Sequence, residues 1–158
     1  MGLAAAVAAS LFFLVRGPAL APLPPYTLDE LNGNQTVRGD GSGPSGTVPV
    51  FDPESRLTLV VRPPHPVNTP VEAKAFLAHG AELLPWEPGS ASPGGSFRFE
   101  GGLSGLQPGP WTVWVVVGRT GKIPSASELQ AALRAGRTRT ADWQAIARDL
   151  RIGTRASP

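Results

Sequence analysis

Cysteine is absent from the 158 residues, which removes disulfide frameworks, thiolate nucleophiles, Cys-ligated zinc and iron–sulfur clusters together. Packing alone must hold the fold. Histidine occurs twice, as His65 in a Pro-rich loop and His79 at a strand end. A zinc site would need both plus carboxylates such as Glu72 or Glu82, and nothing in the spacing unites them, so both imidazoles are expected exposed and solvated. No G-x-S-x-G elbow occurs, and GDGSGPSG (39–46) lacks the Lys-Ser/Thr and helix of a phosphate-binding loop. The carboxylate pairs Asp29/Glu30 and Asp52/Glu54 sit in turns, where solvating a loop accounts for them better than acid–base work. The expectation is therefore no enzyme, no cofactor and no metal, with a hydrolase as the remaining catalytic alternative.

What is abundant is glycine and proline, 37 of 158 positions without a Gly-X-Y period. Usage that high excludes collagen and a helical bundle and implies many turns, while 41% hydrophobic residues suffice for one core. The formal charge of +2 hides an asymmetry. Residues 1–118 carry 6 Lys/Arg against 9 Asp/Glu, and residues 119–158 carry 8 against 3. Arg134, Arg137 and Arg139 concentrate that surplus, and a basic region of this kind can meet anionic lipid or an acidic protein face. Nucleic acid is an improbable target outside the cytoplasm.

Gly2–Val15 is uncharged over 14 positions, short of the roughly 20 residues of a membrane span but matching a secretory h-region of about 7–15. Ala19-Leu20-Ala21 offers a small-x-small cleavage pattern, yet no positive charge precedes the run, and Arg16 lies on the wrong side for ordinary orientation. Residues 1–15 thus read as a signal peptide or membrane anchor, with a buried helix of a cytosolic domain as the alternative. Prolines 18, 22, 24 and 25 make 16–25 a stiff Pro-rich linker.

From residue 26 onward short apolar alternations are bounded by turn residues. Asn32-Gly33-Asn34 suggests a hairpin between Tyr26–Leu28 and Gln35–Arg38. Arg56–Arg62 and Val71–Leu77 alternate as half-buried strands, Ala81–Trp86 is an edge strand because of Pro85, and Phe97 and Phe99 point together. Trp111–Val117, WTVWVVV, is apolar on both faces and predicts a central strand covered on each side, with Trp111 and Trp114 on opposite faces. Ser125-Ala-Ser-Glu128 is a capping box opening a short helix that runs toward Gly136. Residues 142–152 fit a strand interrupted by Arg148 or, nearly as well, a helix. Trp86, between Pro85 and Pro88, is either a lid on the core or a platform for a sugar ring.

The run Leu106-Gln107-Pro108-Gly109-Pro110-Trp111-Thr112-Val113-Trp114-Val115 resembles the L-x-PG-x-[WY]-x-[VL]-x-V pattern of bacterial immunoglobulin-like extracytoplasmic domains. Residues 26–118 as a whole are similar to extracytoplasmic regions of small single-span bacterial proteins, including anti-sigma-type membrane regulators. Short strands separated by turn clusters read as a two-sheet antiparallel β-sandwich over 26–158, behind an N-terminal apolar helix and ending in a basic segment with a short helix, and the resemblance implies that this mainly β domain is immunoglobulin-like. The apolar start, the Pro-rich stalk and the strand spacing predict a non-enzymatic periplasmic or extracellular binding or sensing module that contacts another protein of the cell envelope and reaches the membrane through residues 2–15. Arg134, Arg137, Arg139 and Trp86 are the candidate contact residues, and carbohydrate binding at Trp86 is the alternative.

Overall fold

A computed structural model describes residues 21–33, 48–86 and 88–154. The apolar run 2–15, the 39–46 loop and the second half of the expected hairpin, 35–38, lie outside them. Among the described residues the chain forms strands β1 (Thr27–Asn32), β2 (Val50–Phe51), β3 (Arg56–Arg62), β4 (Val71–His79), β5 (Glu82–Pro85), β6 (Gly89–Ala91), β7 (Phe97–Gly102) and β8 (Gly109–Arg119). Helix α1 (Ala126–Arg134) and strand β9 (Trp143–Ile152) follow. The fold is a two-sheet β-sandwich, one sheet ordered β1-β3-β7-β6 and the other β2-β9-β8-β4-β5. Every strand pair is antiparallel except β2 with β9.

The period-2 alternation explains the core, because alternate side chains of a strand point to one face. Leu57, Leu59 and Val61 of β3 and Phe97 and Phe99 of β7 meet Ala75 and Leu77 of β4, Trp111, Val113, Val115 and Val117 of β8, and Leu150 and Ile152 of β9. The other face of the five-stranded sheet carries a second cluster, in which Phe76, Val116 and Trp143 lie beneath Leu129 and Ala132 of α1. That helix is why WTVWVVV can be apolar on both faces. Trp111 enters the sandwich and Trp114 lies on the helix side.

Residues 143–152 are a strand. Arg148 stands opposite Val113 in the inward register, between Ile146 and Leu150, yet remains exposed. The reason is position: among the described residues β2 covers β9 only at Arg151 and Ile152, so Arg148 lies at a sheet edge where its side chain reaches solvent. Strand β1 runs through Asn32, where the turn was expected to begin, and pairs with β3. The Pro-rich linker is not a free spacer in its described part: Leu23 is 5% exposed, and the chain around it is bound to the body.

The two ends of the sandwich differ. Residues 21–26, the 63–70 and 92–96 loops and the turn after Arg119 share one end, the arm end, as the pairings Thr27 with Arg62, Val61 with Phe97 and Val71 with Arg119 require. The β4–β5 turn and the 103–108 loop occupy the opposite end, where His79 pairs with Glu82 and Gly109 with Ile152.

Candidate interaction surface

Helix α1 begins where its sequence dictates. Ser125 is the N-cap, its hydroxyl accepts from the Glu128 backbone N–H, and the Glu128 carboxylate accepts from the Ser125 N–H at 2.8 Å, which completes the capping box. The Ser125 N–H, and the Ser125 hydroxyl donating at 2.7 Å, hold the Glu128 carboxyl below its ordinary pKa by favouring the charged form. At the other end Arg137 N–H donates to Ala132 O (2.8 Å) and Gly136 N–H to Leu133 O (2.9 Å), with Gly136 at φ +69°. This is a Schellman stop, and the left-handed residue must be glycine for the chain to reverse so tightly.

The helix runs from the arm end toward the β4–β5 turn, where the Gln130 amide donates to Ala81 O. It does not cover the whole outer face. A groove of about 500 Å³ remains between its last turn and the β4–β5 hairpin. Leu83, Trp114 and Leu133 supply its apolar floor, and Glu82, Gln130 and Arg134 its rim. Tryptophan and arginine are among the residue types enriched where binding energy concentrates in protein interfaces, and here half-buried Trp114 and exposed Arg134 line one groove.

The three candidate arginines do not form one patch. Arg134 lines this groove, Arg137 lines another with Lys122, Ile123 and Trp143, and Arg139 donates to Leu23 O at 3.0 Å. Trp86 is half-buried against the core, with its backbone N–H on Ala75 O, and it borders a shallower groove with Lys74, Pro85 and Pro88. Its indole N–H is buried and finds no partner among the described residues. His65 is exposed, but His79 is not simply solvated. Its ring stacks on Trp111 with centroids 4.6 Å apart, and its Nδ1 donates to Pro110 O at 3.0 Å. Among the described residues no three His, Asp or Glu side chains gather as a metal site, and no helix is long and apolar enough to cross a membrane.

Sequence reasoning missed Leu83, Gln130 and Leu133 as a set. Their signal was the outward register of Leu83 against the inward Leu84 and the i, i+3 spacing of Gln130 and Leu133, but only the docked helix brings strand and helix together. Compared with protein-family models, curated proteins and solved structures, the chain matches none.

Proposed function

We propose that this chain is a non-enzymatic, extracytoplasmic immunoglobulin-like module that binds another protein of the cell envelope through the groove between α1 and the β4–β5 hairpin. The carrying observation is that groove: an apolar floor with Trp114 at its base and a rim that presents Arg134. Its size admits one or two side chains, so the fitting partner segment places an apolar anchor on Trp114 and a carboxylate toward Arg134. The immunoglobulin-like part of the reading is supported by strand order. Lettered along the chain, β1-β3-β7-β6 reads A-B-E-D and β9-β8-β4-β5 reads G-F-C-C′. Trp111, near the start of β8, donates its indole N–H to Gln107 O four residues upstream at 2.9 Å, in the manner of the tyrosine corner of such domains. The apolar run 2–15 supports export or tethering.

A photo-crosslinking residue placed at Gln130 of the full chain, expressed in bacteria and recovered with the envelope, should trap one defined protein, and Arg134→Glu should abolish the adduct. Adducts no stronger than those from an exposed control at Ser90 would refute the groove. The second reading is carbohydrate binding at Trp86, a single half-buried ring backed by the core. Adducts at Gln130 that vanish with added glycan and with Trp86→Ala, and that ignore Arg134→Glu, would favour it.

A further inference from the structure

We infer that the arm end of the sandwich lies against the surface of the membrane that holds the apolar N-terminal run; the inference rests on the tethering part of the proposed function. The arm is docked rather than loose. Leu23 and Tyr26 are both 5% exposed. Arg119 donates to Ala21 O and Arg139 to Leu23 O, two guanidinium groups from the far end of the chain clamping carbonyls of the Pro-rich segment. Arg119 is itself fixed by Asp142 at 3.4 Å. Between the apolar run, which ends at Val15, and docked Ala21 lie five residues, which span at most about 18 Å even when fully extended. A loose ten-residue stalk would let the domain tumble at a distance. The clamp shortens the tether and chooses which end it leaves from.

The charges at that end fit a headgroup layer. Its carboxylates are engaged: Asp142 by Arg119, Glu72 by the Gly121 N–H at 3.0 Å, and Glu128 by Ser125. The exposed cations Lys122 and Arg137 have no ion pair among the described residues. Such cations are drawn toward an anionic headgroup surface. The eleven residues of β8 put the opposite end about 35 Å further out.

The cysteine-free chain allows a clean measurement, because one introduced cysteine carries the only label. Full-length Thr120→Cys and Ser104→Cys proteins, fluorophore-labelled, are reconstituted in vesicles of phosphatidylethanolamine and phosphatidylglycerol with a nitroxide on the headgroup. Quenching should be several-fold greater at position 120 than at 104, and it should fall toward the 104 value when Arg119→Ala and Arg139→Ala are combined. Leu23→Ser should lower it in the same way, which keeps the test intact if the double variant does not fold. Protein that floats with the vesicles but quenches equally at both positions overturns this inference and leaves the tether standing. Protein that does not float overturns the tether, and the inference with it.

Discussion

Trp111 and Trp114 are three residues apart on one strand, and the two-layer packing predicts that truncating them has unequal effects. Trp111 is 5% exposed between the sheets, stacks on His79 and donates its indole N–H to Gln107 O. Trp111→Ala therefore opens an enclosed cavity and lies at the upper end of the range for such truncations, about 5 kcal/mol. Trp114 is half-buried under α1 and already borders an open groove, so water refills the space it leaves. Only the lost transfer term remains, about 2 kcal/mol. For the 119 described residues, an unfolding entropy of about 2.1 cal/mol/K per residue converts these to drops in Tm of about 20 and 8 °C. Thermal melts followed by far-UV circular dichroism measure both. If Trp111→Ala does not fold, the Trp→Phe pair must show the same ranking. Equal melting points for the two positions would refute the assignment of one face to the sandwich interior and the other to a helix-capped groove.

Two local devices give further tests. Ser125→Ala removes the acceptor for the Glu128 N–H and should cost about 1 kcal/mol in a urea melt. Because the Glu128 pKa is lowered in the fold, its contribution is present above the ordinary carboxylate pKa and is lost as pH falls through the folded value, so the stability gap between wild type and Glu128→Gln should close on acidification. Burial raises the Tyr26 pKa, so its contribution is complete below the ordinary phenol value of 10.0 and is lost as pH rises through the folded pKa. Wild type should thus lose stability in alkali relative to Tyr26→Phe. At neutral pH that variant should be near wild type, since the hydroxyl is buried without a partner among the described residues.

What the sequence made legible was whatever local spacing encodes. The strand WTVWVVV, the capping box at Ser125, the inward triplet Leu57, Leu59 and Val61, and the edge position of Pro85 all follow from periodicity or from a residue's missing donor. Gly89–Ala91 could not be read as a strand, because GSA has no periodicity and is extended only through its pairing with β7. The arm clamp was equally hidden: Arg139 and Leu23 are 116 positions apart, and no composition rule foretells a guanidinium on a distant carbonyl. The basic C-terminal residues looked like one patch because they are close in sequence. The Schellman turn at Gly136 separates them, leaving Arg134 at the groove and sending Arg137 and Arg139 back toward the arm.

The edges of the two sheets bear on how a partner would bind. An unpaired strand edge invites another chain to add a strand, unless short length, proline, bulges or an inward charge blunt it. Each edge here is blunted in its own way. Strand β6 is three residues long, β5 carries Pro85, and β1 has its register broken between Leu28 and Glu30 beside the charges of Asp29 and Glu30. Where β2 ends, β9 has no further strand neighbour among the described residues, and there Arg148 holds the inward register. Strand addition is thus opposed around the whole perimeter of the described sandwich, which leaves side-chain docking as the available mode. The groove at Trp114 suits that mode. It lies at the last turn of α1, beside the β4–β5 turn and away from the arm end, so a domain seated arm-down on a bilayer would open it toward proteins of the aqueous space rather than toward lipid.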